Sequence, residues 1–232
     1  MSTLTPRQQA YLQAMGVTLW VPQSSPLSSV SLSVLDENRP VAAQGIASDD
    51  WDTLAEAVRQ CQRCELHKTR TQTVFGVGDR QASLMIVGEA PGADEDRQGE
   101  PFVGRAGRLL NEMLKAIGLQ RQQVYIANIL KCRPPNNRDP KPEEAAECSQ
   151  YLFRQIELIQ PKLILALGRI AAQRLLKTDS ALSRLRGKVH QHPETGMPLI
   201  VTYHPAYLLR TPSDKRKAWE DLLFLQKTIK SN

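Results

Sequence analysis

Four cysteines, Cys61, Cys64, Cys132 and Cys148, form a close pair followed far downstream by two single residues. That spacing is poor disulfide logic for a domain of this size. It suits a centre that ties distant parts of one fold together, either a tetrahedral zinc or an iron–sulfur cluster. Zinc modules usually present two tight pairs, so the spread of Cys132 and Cys148 leans toward iron. Between the first pair and Cys132 lies GEAPGADEDRQGEPFVGRAG, in which Glu89, Asp94, Glu95 and Asp96 crowd one loop. Carboxylates so placed can orient or deprotonate water, and the surplus ones serve solvation or structure. Asn128, just before ILKC, offers a donor and an acceptor on one amide. His204 opens HPAYLLR, and a histidine can stabilise developing negative charge. Arg133, Arg138 and Lys141 surround Pro134, Pro135 and Pro140, a stiff basic loop suited to phosphate.

These groups need a scaffold, and the apolar pattern supplies one. Short buried runs at Leu84–Val87, Val124–Ala127, Leu163–Leu167 and Leu199–Tyr203 read as strands. Helical stretches lie between and after them, at Gly107–Ile117, Pro142–Ile159, Arg169–Leu176 and Asp214–Ile229. Strands alternating with helices predict a parallel sheet covered on both faces. Ligands in such folds bind outside the carboxyl ends of the strands. The residues there are Gly88-Glu89, Asn128, Gly168 and His204-Pro205, so three of the four ends carry a chemically able side chain.

The chain has 232 residues, 41% of them hydrophobic, enough for one substantial domain plus an appendage. No apolar run approaches the ~20 residues of a membrane span, and the N-terminus lacks a signal-peptide core. A cytoplasmic address is expected, where the cysteines stay reduced. Net charge is +6, yet residues 1–48 balance Arg7 and Arg39 against Asp36 and Glu37. The basic excess therefore belongs to residues 49–232 and suggests a polyanionic partner. Residues 24–48, rich in Ser, Pro, Val and Ala, read as a flexible linker. Residues 1–23 read as a separate unit, with Thr5 and Pro6 starting a helix and Gly16 ending it. Its Tyr11, Leu12 and Trp20 need a surface to cover them.

Taken in order, Cys61-x2-Cys64, GEAPGADED with GEPFVGRAG, ANILKCRPPNNRDP, Cys148 and HPAYLLR resemble the family 4 uracil-DNA glycosylases, the iron–sulfur branch of that superfamily. The resemblance spans residues 51–228. It implies a three-layer α/β fold with a central four-stranded parallel sheet and helices on both faces, acting as a monomer. It implies hydrolysis of the bond between uracil and deoxyribose in single- or double-stranded DNA, with a [4Fe–4S] cluster on Cys61, Cys64, Cys132 and Cys148. Since hydrolysis requires no redox step, the cluster's expected role is structural. Asn128 would read the base, Phe102 would stack on it, and Gly88 and Ala90 would border it. His204 would stabilise charge on the departing ring. Glu95 is the first choice for positioning water and Glu89 the second, because Ala90 stands where the best-known branch of the superfamily has an Asp. HPAYLLR also reads as a DNA loop, in which Tyr207 or Leu208 would fill the gap left by the flipped nucleotide, and Arg210 and Arg133 would hold phosphates. Many relatives carry Ser where this chain has Ala206, which removes one hydroxyl contact. The basic, His-bearing insert of a covalently trapping relative is absent, as GRAGRLLNEML runs straight into helix. The rival readings are a glycosylase for deaminated purines and a non-catalytic damage-binding protein.

A second resemblance covers the leader. Arg7-x3-Tyr11-Leu12-Gln13-x2-Gly16-Val17-Thr18-x-Trp20 is similar to the N-terminal peptide of the psi subunit of the bacterial DNA polymerase III clamp loader. It implies docking on the chi subunit, with Trp20 as anchor.

Overall fold

A computed structural model describes residues 50–231. The proposed leader (1–23) and linker (24–48), with Tyr11, Leu12 and Trp20, lie outside the described residues. The first element, α1 (Trp51–Gln60), is capped by the carboxylate of Asp50, which accepts from the Thr53 amide at 3.2 Å. The helix stops at Cys61, so both cysteines of the close pair follow directly from its C-terminus.

A single mixed sheet organises the remainder. Its strands are β1 (Val77–Gly78), β2 (Leu84–Gly88), β3 (Tyr125–Asn128), β4 (Leu163–Leu167), β5 (His190–Gln191) and β6 (Pro198–Thr202). They lie in the order β1-β3-β2-β4-β6-β5. The four inner strands are parallel, as expected, while β1 and β5 pair antiparallel at the edges. The expectation of four strands is corrected to six. Each edge strand has only two residues, too few for an alternating pattern to register.

The inner strands are buried on both sides, and alternate residues enter different cores. Met85, Val87, Ala127, Ile164 and Val201 face one core, closed by α1, α4 (Pro142–Ile159) and α5 (Gly168–Leu176). Ile86, Ile126, Leu165 and Ile200 face the other, closed by α3 (Arg105–Ala116) and α8 (Lys215–Ser231). Short helices α2 (Ala93–Gln98), α6 (Leu182–Leu185) and α7 (Pro205–Arg210) fill the connections. The last corrects the reading of HPAYLLR as a loop. His204 is its N-cap, and Pro205 occupies the first turn, where a missing amide costs nothing.

The connection from β2 leads to β3 on one side, and that from β4 leads to β6 on the other. A crevice therefore opens between the carboxyl ends of β2 and β4, where such sheets bind ligands. The neighbouring end of β6 is fixed by Asp221 on α8, a buried carboxylate. It accepts from the Thr202 hydroxyl at 2.7 Å and from Arg186 at 2.7 and 2.9 Å. His204 follows two residues after that anchor.

Candidate active site and cysteine cavity

The crevice holds a cavity of about 770 Å³ whose wall includes Glu89, Ala90, Glu95, Phe102, Asn128 and His204. Six of the residues expected at the site thus border one space, although they come from four separate segments. The cavity is possible because Gly88 is bare. A Cβ there would lie 2.3 Å from Asn128 Oδ1 and 2.6 Å from Phe102 Cζ, so only glycine lets the amide and the ring meet over the end of β2. Asn128 is buried, and its Oδ1 has no hydrogen-bond partner among the described residues. A buried acceptor left unpaired costs roughly 1–3 kcal/mol, which a donor on a ligand would recover.

Phe102 sits at φ +54°, a left-handed conformation costly for a bulky residue. Arg121 holds it there by donating to the carbonyls of Phe102 (3.3 Å) and Pro101. Gly107 on α3 permits the arrangement, since a Cβ would fall 1.8 Å from the Phe102 carbonyl oxygen. The Phe102 and His204 rings face each other obliquely, with centroids 5.6 Å apart and planes at 32°.

His204 is in a defined state. Its Nδ1 accepts from the Ala206 amide at 3.1 Å, so the neutral ring carries its proton on Nε2. Burial first, then repulsion from Arg210, pulls its pKa down to about 4 against the attraction of Glu95. The ring is therefore a neutral donor near pH 7.

The carboxylates differ from expectation. Glu95 reaches back along the loop to accept from the amides of Gly92 (3.1 Å), Val103 (3.0 Å) and Gly104 (3.1 Å). Its oxygens brace the loop that carries Phe102, so the carboxylate expected first for aiming water is engaged with main-chain amides. The Glu89 carboxylate makes no hydrogen bond among the described residues. Burial, reinforced by Asp139 and opposed by Arg169, pushes its pKa up to about 7. Buried Asp96 is structural, its carboxylate accepting from the Thr71 amide at 3.0 Å.

The DNA-facing expectations need more revision. Leu208 is 1% exposed and packs in the core with α3 and α8, so it cannot act as a wedge from this position. Half-buried Leu209 is the neighbouring apolar side chain nearer solvent. Tyr207 lines the cavity, but its hydroxyl donates to Asp214 at 2.6 Å and its ring stacks on Tyr203. Arg210 is exposed at the cavity wall. Arg133 is not part of that wall, and its Nε donates to Asn137 at 2.8 Å. Arg138 is committed to a two-pronged pair with buried Glu144. Sequence reasoning missed Asp139 and Arg169, paired at 3.1 Å on the wall. The position of Arg169, directly after the glycine that follows β4, was the available signal.

A second cavity, on the α1–α4 side of the sheet, is bordered by Cys61, Cys64, Cys132 and Cys148 together. Arg70 donates to Cys132 Sγ at 3.1 Å, and the Lys131 amide donates to Cys148 Sγ at 3.2 Å. Both bonds favour thiolates. Burial, reinforced by Cys132 and Cys61 and opposed by Lys131, pushes the Cys148 thiol up to about 12, a barrier that a bound metal centre would remove. All four sulfur-bearing side chains border this one space. Among the described residues, no trio of His, Cys, Asp or Glu side chains is gathered as around a single ion. Lys131 borders the same cavity. Its buried ammonium is pulled down to about 8 by burial, against the pull of Cys148 and Cys132.

Residues 75–223 match the uracil DNA glycosylase superfamily. The type-4 uracil-DNA glycosylase of Archaeoglobus fulgidus is 51% identical over 170 residues, covering 71% of this chain and 85% of that protein. That of Thermotoga maritima is 44% identical over 174 residues, covering 74% and 90%. A type-5 uracil-DNA glycosylase of Pyrobaculum aerophilum reaches 31% over 148 residues, covering 56% and 64%. The chain belongs to the uracil DNA glycosylase superfamily and, within it, to the type-4 family.

The Glu89 environment makes a prediction that requires no substrate. A carboxyl whose native pKa is raised binds its proton more tightly when folded, so its contribution to stability is full below about pH 4.5 and lost as pH rises to about 7. Glu89→Gln should therefore stabilise the protein at pH 8 by about 1–2 kcal/mol, allowing for solvent screening, and by much less at pH 5. Urea unfolding at the two pH values checks this, and equal effects at both would refute it.

Proposed function

We propose that this protein hydrolyses the N-glycosidic bond of uracil in DNA, releasing uracil and leaving an abasic site. The observation that carries the proposal is the unpaired Asn128 Oδ1, buried beside Phe102 in the cavity that also presents Glu89 and His204. Uracil N3–H would donate to that oxygen while Asn128 Nδ2 donates to O4. Cytosine offers an amino donor and an acceptor at those places, so both contacts would fail. Phe102 offers a ring on which the extruded base can stack.

When the C1′–N1 bond breaks, its electron pair passes into the uracil ring. The His204 Nε2–H would stabilise that charge at O2 by donation from a neutral ring. Glu89, with its pKa near 7, suits the role of taking a proton from the water that attacks C1′. Its ionised form would also favour positive character at the sugar. Glu95 contributes by holding the loop, and Arg210 is placed for a phosphate. We assign Cys61, Cys64, Cys132 and Cys148 to a [4Fe–4S] cluster. When bound, it would supply a rigid tie among the four segments that carry its thiolates.

Among the described residues no helix is long and apolar enough to cross a membrane, and we propose a cytoplasmic monomer with the domain spanning 49–232. For the leader we propose docking on the chi subunit through Tyr11, Leu12 and Trp20, which would concentrate the enzyme near exposed single strands.

Purified chain should convert uracil-containing single- and double-stranded oligonucleotides to alkali-labile abasic DNA. Asn128→Ala and His204→Ala should slow single-turnover release by about 10²–10⁴-fold with DNA binding nearly intact. No uracil release by the unaltered chain would sink the proposal, and near-normal rates in His204→Ala would remove that residue's role. For the leader, immobilised chi should retain the full chain but not Trp20→Ala. Failure to retain the intact chain would end that assignment alone.

A further inference from the structure

Lys131 has no part in the proposed chemistry, yet it is 1% exposed between the two cavities. A lysine ammonium has three protons to donate and accepts nothing. Here Nζ finds three acceptors: the Gln155 Oε1 at 2.6 Å, the Phe75 carbonyl at 3.1 Å and the Asn128 carbonyl at 3.1 Å. Gln155 is itself held, donating to the same Phe75 carbonyl at 3.0 Å and to the Tyr125 hydroxyl at 3.2 Å. The backbone amide of Lys131 donates to Cys148 Sγ, and its carbonyl accepts from Val74 at 2.8 Å. One residue thus touches the backbone of the base-reading asparagine and a sulfur of the cysteine cavity.

β3 ends at Asn128, and the chain must turn there toward Cys132. Ile129 and Leu130 stay tied to β2 through the Gly88 and Glu89 carbonyls. The Asn128 carbonyl accepts from a charged donor at 3.1 Å, and a charge-assisted bond is stronger than a neutral one. The direction of the Asn128 side chain, whose Oδ1 has no partner of its own, depends on how firmly its backbone is held.

We propose that Lys131 is a positioning residue for uracil recognition: its buried ammonium anchors the Asn128 backbone to Gln155 and Phe75, so that the base-reading amide is held from the side of the cysteine cavity. This rests on the uracil reading of the pocket. Lys131 does not contact the substrate. It limits the motion of the group that does, and its loss would weaken discrimination before it weakened chemistry.

The test compares intact protein with Lys131→Met, which keeps side-chain length and removes the charge. Iron content and visible absorbance are measured first, so that loss of the centre is seen separately. With the centre retained, inhibition by free uracil should weaken about tenfold, and KM for uracil-DNA should rise more than kcat falls, while affinity for abasic product DNA stays the same. Lys131→Gln, which can still donate to one carbonyl, should recover part of the loss. Leu225→Val, a core truncation on the opposite face, should lower stability and leave uracil inhibition unchanged. Equal loss of uracil and abasic-DNA affinity in Lys131→Met, or equal loss of uracil inhibition in Leu225→Val, would overturn the proposal. If Lys131→Met does not fold, the Lys131 ammonium resonance of the unaltered protein decides the matter. It should shift when uracil is added, and an unmoved signal would refute the link. Uracil release by the unaltered chain is scored separately, so failure of the functional reading is distinguishable from failure of this one.

Discussion

Both walls of the candidate active site are tied to the immediate surroundings of Cys132. On one side Arg70 donates to its sulfur, the next residue, Thr71, donates to Asp96, and Gln72 donates to the Arg97 carbonyl. Three consecutive residues therefore strap the cysteine cavity to α2, the helix whose Glu95 braces the Phe102 loop. On the other side Lys131 connects the adjoining backbone to Asn128. A recognition amide and a stacking ring must be held to a fraction of an ångström to discriminate among bases. Short loops around a glycine could not provide that alone. The fold answers with a fixed point outside the pocket.

The pocket itself is assembled at a cost. Phe102 has a left-handed backbone, Asn128 an unpaired acceptor, Glu89 a carboxyl whose ionisation is opposed by burial, and His204 a ring that stays neutral. The first three oppose stability near neutral pH, the His204 ring does so only as pH falls below about 6.5, and each has a use when charge moves from sugar to base. The offsetting interactions lie nearby: the Arg121 grip on the Phe102 loop, the three amides on Glu95, and the Asp221 anchor under β6. Sites of this kind are where local rules of folding are expected to be broken.

Much of this was legible in the amino-acid order. The inner strands are runs of Leu, Ile, Val and Ala long enough to read as buried, and the chemically able residues cluster at their ends. The edge strands, two residues each, carried no pattern. A wedge role for Leu208 requires HPAYLLR to be a loop, whereas His-Pro is a good helix start and a helix turns Leu208 inward. Glu95 stands at the third position of α2, where a carboxylate bonds back to the helix start, and that local duty outweighed its catalytic appearance. Lys131 and Arg121 were out of reach. Lysine and arginine are surface residues by default, and only tertiary packing shows that these two donate to main-chain carbonyls beside the pocket. The type-4 relatives agree with the family read from the motifs; the roles of individual residues rest on geometry.

Hydrogen exchange on Cys132→Ser beside the unaltered protein tests this dependence most directly, because it reads backbone protection without any assay of activity. The account predicts exchange at least about tenfold faster at the amides of Thr71, Val103 and Leu130, which lie along the two straps, with β4 and α8 unchanged. Equal acceleration in every element would mean that the cysteines support only global stability. Unchanged exchange at Thr71, Val103 and Leu130 would mean that the pocket walls stand without them, and either result would contradict the account.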